Sequence, residues 1–153
     1  FGYPLSVTVS AMGDLYVLDG ENKRIVYFNF FGDYKGNFGG YNSGFYTLDR
    51  PRKISALKNT LAVLDGRDLV IFDLFGNYIY KLPLDDRFLS VKATDGVVTL
   101  TSKTEIYIAN DAHNLEFTKL DVSEHLWFVD SIVSGDMLYI LTENSIRIYK
   151  KGN

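Results

Sequence analysis

The sequence contains no cysteine, which excludes a disulfide framework and any thiolate-based metal or redox centre while leaving the compartment open. It has two histidines, His113 and His125, set in different loops. They do not supply the several convergent imidazoles that a catalytic metal asks for, so no metal is expected. Asp85-Asp86 and Asp111 sit between strand-like runs without the Asp-x-Asp-x-Asp-Gly spacing of a calcium loop, and read as solvated turn residues. No nucleophile elbow, phosphate loop or His-Glu zinc motif occurs. No catalytic residue and no cofactor is therefore expected. Basic residues are not clustered, and 16 Lys and Arg stand against 19 Asp and Glu for a net charge of −3. A surface for the phosphate backbone needs the opposite balance, so nucleic acid is not an expected partner. No apolar run reaches the roughly 20 residues of a spanning helix, and no signal peptide is expected within these residues. An initiator Met is also missing: the chain opens Phe1-Gly2-Tyr3-Pro4 and enters a strand pattern at once. The expectation is a processed or truncated start, from a secreted mature protein or from a longer chain.

Aromatic side chains are abundant, with 11 Tyr and 11 Phe. They favour pleated, half-buried surfaces and argue against disorder. They also recur with a period. Phe28-Asn29-Phe30-Phe31-Gly32-Asp33-Tyr34 aligns without a gap on Phe72-Asp73-Leu74-Phe75-Gly76-Asn77-Tyr78, 44 residues on. Leu15-Tyr16-Val17-Leu18-Asp19-Gly20 aligns on Leu61-Ala62-Val63-Leu64-Asp65-Gly66 at a spacing of 46, and Pro4 and Val7 on Pro51 and Ile54 at 47. Weaker copies follow: runs at 90–93, 97–101 and 105–109, then at 128–133, 137–142 and 145–150. Several short strands in each unit of this length are the mark of propeller blades. No segment carries the 3.6-residue apolar stripe of a helical solenoid.

Side-chain patterning sharpens this. The second strand of each strong unit is apolar on both faces: Leu15 and Val17 against Tyr16 and Leu18, Leu61 and Val63 against Ala62 and Leu64. Leu138 and Ile140 against Tyr139 and Leu141 do the same in the fourth. Such a sheet must be covered on both sides, which stacked blades provide. The expectation is an all-β β-propeller domain over 1–153, with about four blades of three to four antiparallel strands at approximately 4–50, 51–86, 87–124 and 125–153. It is either a complete small propeller or part of a larger one.

Residues 13–28, Gly-Asp-Leu-Tyr-Val-Leu-Asp-Gly-Glu-Asn-Lys-Arg-Ile-Val-Tyr-Phe, resemble the NHL repeat: a tight turn, an apolar strand ending in Asp, then Asn, Arg-Ile and Phe. Asn37-Phe38-Gly39-Gly40 and the loop to Pro51 follow the same pattern. The second unit keeps Asp65 and Phe72 but has a shorter turn without the Asn-x-Arg. The resemblance covers 4–83, and it implies a propeller, often six-bladed, with a binding role.

Asp19 with Arg24, and Asp65 with Arg67, are read as turn-stabilising pairs. First strands offer Ser6, Thr8, Lys53, Ser55, Lys92, Asp130 and Ser131 to a central channel, where Lys53, Lys92 and Asp130 are candidates for a small ligand. The loop Gly39–Asp49 is long and carries three aromatics. Tyr41, Phe45 and Tyr46 from it, with Trp127, are the candidate protein contacts. The expected role is a non-catalytic protein-binding or scaffold module, an accessory subunit of an extracytoplasmic or membrane-associated complex, whose partner is another protein or a second copy. The alternative is an enzyme or small-ligand carrier using the channel. The fourth unit shows three strands and an apolar sheet, so either the first blade closes a four-bladed ring or another chain covers the open side. Assembly with another chain is the favoured expectation.

Overall fold

The computed structural model describes residues 2–44, 46–111, 114–122 and 125–151. Phe45 and His113 from the candidates above lie outside the described residues. Among those described, all regular structure is β: fifteen strands in four antiparallel sheets, each a simple meander in chain order.

The first sheet comprises β1 (Pro4–Val9), β2 (Leu15–Asp19), β3 (Arg24–Phe28) and β4 (Tyr34–Phe38). The second comprises β5 (Pro51–Ala56), β6 (Thr60–Asp65), β7 (Asp68–Asp73) and β8 (Tyr78–Pro83). Their registers superpose. Val17 lies between Val7 and Val26 as Val63 lies between Ile54 and Val70. Irregularities recur too, between Pro4 and Ser6 and between Pro51 and Lys53. Proline has no N–H for a ladder, so it stands at the first position of each leading strand.

The third sheet holds β9 (Ser90–Thr94), β10 (Val97–Thr101), β11 (Ile106–Asn110) and a two-residue outer strand, β12 (Thr118–Lys119). The fourth holds β13 (Phe128–Ser134), β14 (Met137–Thr142) and β15 (Ile146–Lys150). β12 escaped the sequence reading because Thr-Lys carries no alternation to detect.

Two compact units contain these sheets: Phe1–Asp85 with the first and second, Asp86–Asn153 with the third and fourth. In the first unit the sheets meet face to face. Tyr16, Leu18, Ile25 and Phe38 pack against Ile54, Leu61, Val63, Val70 and Phe72. Ring contacts run through this core from Tyr16 to Tyr27, Phe38, Phe72 and Tyr78. The leading strands lie side by side, with Ser6 Oγ and Thr8 Oγ1 accepting from the N–H groups of Ile54 and Ala56 at 3.3 and 2.8 Å. In the second unit Ile106, Phe128 and Ile140 form the centre, with Leu120, Val122, Leu126, Leu138 and Tyr149 against it. Its sheets are joined through hydroxyls between β10 and β13: the Thr101 and Ser131 hydroxyls are 2.6 Å apart, and Thr99 Oγ1 donates to the Ser131 carbonyl.

Candidate functional site

The turn residues are structural in their contacts. Asp19 is fully buried at the end of β2. It accepts from the N–H groups of Gly2, Tyr3 and Asn22, from Asn22 Nδ2 at 2.8 Å and from Arg24 Nε at 3.4 Å. Burial pushes its carboxyl up, but the hydrogen bonds from the Asn22 side chain and from the Tyr3, Gly2 and Asn22 backbone outweigh that and hold it well below the usual carboxylate range. Asp65 accepts from the N–H groups of Asp49 and Arg50, the latter at 2.6 Å, and from the Tyr46 hydroxyl at 3.2 Å. No group of three or more His, Asp or Glu that could hold a metal occurs among the described residues.

The loop Gly39–Asp49 sends its aromatics in different directions. Tyr41 is 87% exposed. Tyr46 is half-buried, stacked on Tyr78 at 5.0 Å and bonded to Asp65. Burial first, and the Asp65 carboxylate beside it, push the Tyr46 phenol far up. The loop is pinned by Leu48, which is buried and whose N–H donates to the Gly39 carbonyl. Trp127 in the second unit is 60% exposed, with Lys103 Nζ 5.5 Å over its ring. Lys92 and Asp130 form an ion pair, and Asp130 also accepts from Ser90 Oγ and from the Ser131 N–H. Lys53 is exposed on β5. The channel candidates in the second unit thus neutralise one another in part.

Two sheets leave an apolar face exposed, in keeping with second strands that are apolar on both sides. On the first sheet, the face turned away from the second carries Val7, Val9, Leu15, Val17 and Phe28, with Val7 and Val9 60% and 57% exposed. On the fourth, Ile148 pairs with Tyr139 and Ile146 with Leu141, and all four are exposed. The leading strand of the first adds to it: Leu5, Val7 and Val9 alternate with Ser6 and Thr8.

The profile of the NHL repeat matches residues 1–28, through the whole of the first three strands. The start of the first blade matches the NHL repeat. Among curated proteins, none matches the chain by sequence. Solved structures match it closely in fold. YCF48 bound to D1 peptide is 14% identical with a TM-score of 0.73, over 99% of this chain and 52% of that one. Virginiamycin B lyase from Staphylococcus aureus is 13% identical with a TM-score of 0.72, over 96% and 50%. PorZ, a surface component of the type-IX secretion system of Porphyromonas gingivalis, is 12% identical with a TM-score of 0.70, over 96% and 21%. The chain spans about half the length of the first two, which are β-propellers. The four antiparallel sheets have the fold of propeller blades, and the stretch that matches the NHL repeat lies in the first. The relatives in fold include both a peptide-bound protein and an enzyme.

Proposed function

We propose that this chain is a non-catalytic protein-binding or scaffold module, a single propeller domain over 1–153 that assembles with another protein chain outside the cytoplasm. The observation that carries this reading is the pair of exposed apolar sheet faces, Val7 with Val9 and Tyr139 with Leu141, Ile146 and Ile148. Monomeric soluble proteins rarely leave contiguous apolar surface of this kind uncovered. Within the first unit a face of the same make, Tyr16 and Leu18, is closed by the apolar face of the next blade. The partner that fits is accordingly another twisted apolar sheet. Tyr41 and Trp127 add exposed aromatic anchors of the sort that dominate protein contacts. YCF48 bound to a peptide and PorZ at a bacterial surface are propeller-like proteins in such settings.

Mass in solution tests the proposal. Light scattering across a concentration series should give an assembly larger than 17.4 kDa, or a monomer whose apolar faces bind a hydrophobic dye until a partner covers them. A monomer that stays dispersed and binds no dye would overturn it. Turnover of a substrate at a residue of this chain would do so as well.

A further inference from the structure

The second unit contains a cavity of about 450 Å³ that no sequence motif pointed to. It lies between the third and fourth sheets, walled by Val97, Ile108, Val122, Val133 and Leu138. That volume falls in the roughly 300–1,000 Å³ range of small-molecule sites, and such sites pair apolar walls with a few polar groups. Of the neutral polar side chains that line it, Asn110 is exposed and Tyr149 reaches inward. Its hydroxyl oxygen is buried and is the one buried side-chain polar atom without a hydrogen-bond partner among the described residues. A buried hydroxyl left unmatched is unfavourable, and folded proteins seldom tolerate one without a compensating ligand, water or function.

Charge at the mouth defines the ligand further. Asp121, Asp136, Lys150 and Lys151 stand there, with Lys150 Nζ 3.6 Å from Asp136. Two charges of each sign select no net charge on an entering molecule. Large apolar walls reject a strongly hydrated one.

We propose that this cavity is a binding site for a neutral, largely apolar small molecule carrying one carbonyl-type acceptor, which receives the hydrogen bond of the Tyr149 hydroxyl. It is separate from the exposed sheet faces and does not depend on the scaffold role. A small ligand here would link the third and fourth sheets and stiffen the unit that carries the Tyr139 face.

The test uses two probes of matched shape, acetophenone and ethylbenzene, titrated against the isotope-labelled protein by NMR. The first carries a carbonyl where the second has a methylene. Shifts should centre on Val97, Val122, Val133 and Leu138, with acetophenone binding about fivefold or more tightly, the worth of one ordinary hydrogen bond. Tyr149→Phe keeps the ring and removes the donor. It should abolish the preference while retaining ethylbenzene. Val133→Phe, which fills the cavity, should remove both responses. Equal affinity of the two probes for the unaltered protein would overturn the proposal. So would the absence of shifts at the lining residues, or responses that persist when the cavity is filled.

Discussion

Asp19 and Asp65 hold the same post in consecutive blades: each ends a second strand, and each accepts the backbone N–H groups that lead into the proline of the neighbouring first strand. For Asp19 these are Gly2 and Tyr3 before Pro4; for Asp65 they are Asp49 and Arg50 before Pro51. The proline cannot donate to the ladder, so the chain needs an acceptor upstream to fix its entry angle. A buried carboxylate supplies it. Asp19→Ala would leave several donors without a partner and should lower stability by about 2–3 kcal/mol, and Asp65→Ala by a similar amount. Urea unfolding of the two variants beside the parent measures both. A loss under about 0.5 kcal/mol, the range of an ordinary surface change, would refute the shared role.

The same device explains how far the repeat could be read. Blades one and two share Pro, Asp and a Gly-containing turn, because one hydrogen-bonding scheme demands all three. Their β3–β4 and β7–β8 turns agree even where the letters differ. Asn29 accepts from the Phe31 and Asp33 N–H groups and Asp73 from those of Phe75 and Asn77, with amide and carboxylate partners exchanged across each turn. Gly76, at φ +91°, could not be replaced there, since a Cβ would meet the Phe38 ring at 2.4 Å. In the third and fourth blades Thr101 and Thr142 close the second strands through hydroxyl contacts. Threonine is too common in strands to mark a repeat. Blade existence was therefore legible throughout from the recurring strand runs and their two-sided apolar second strands, and family likeness only in the first half. The Tyr149 cavity left no trace in the sequence, because it is space between side chains that are ordinary one by one.

Acid should erase part of the Asp19 contribution. Its carboxyl is held below the ordinary value near 4 in the folded chain. The stability it confers is complete above the unfolded value and is lost as pH falls through the folded one. The stability gap between the parent and Asp19→Asn should thus be widest at neutral pH and narrow below about pH 4. A gap that widens on acidification would contradict the assignment.

Alkali should act through Tyr16. Burial chiefly, with Asp14, Tyr27 and Asp73 contributing, pushes its phenol up to about 12. The neutral hydroxyl, which donates to the Leu74 carbonyl at 2.9 Å, is what the fold accommodates. Stability from this group is full below the unfolded value near 10 and is lost as pH rises toward 12. Tyr16→Phe should cost about 1 kcal/mol at neutral pH for the lost hydrogen bond. Its unfolding should then fall less steeply than the parent's between pH 10 and 12, which parallel denaturation series would show.

Within the long loop, Tyr41 and Tyr46 should part company on substitution. Tyr41→Ser removes an exposed ring and should change stability by less than about 0.5 kcal/mol. Tyr46→Phe removes the bond to Asp65 and should cost about 1 kcal/mol. If Tyr41 belongs to the contact surface, only Tyr41→Ser should weaken a partner's binding without touching the melting temperature. Equal melting losses for both would place Tyr41 in the fold rather than at an interface.

The exposed sheet faces carry the prediction with the widest consequence. Val7 and Val9 stand beside Leu15 and Val17, and Ile146 and Ile148 beside Leu141 and Tyr139. Each face is apolar and built like the faces that meet inside the first unit. Burying a valine or isoleucine side chain contributes about 1.5–3 kcal/mol, so a few such residues suffice to hold a second sheet. A charge placed among them would have to be desolvated in the assembled state and not in the free one. Val7→Glu and Ile148→Glu should therefore leave the isolated chain folded, since both positions are exposed, while shifting light-scattering mass toward 17.4 kDa. Circular dichroism checks the first half and mass the second. If self-association joins one face to the other, either substitution alone should break it. If a different protein covers one face only, a single substitution should act and the other be silent. Two charged variants with the parent's mass and the parent's partner affinity would remove these faces from any interface.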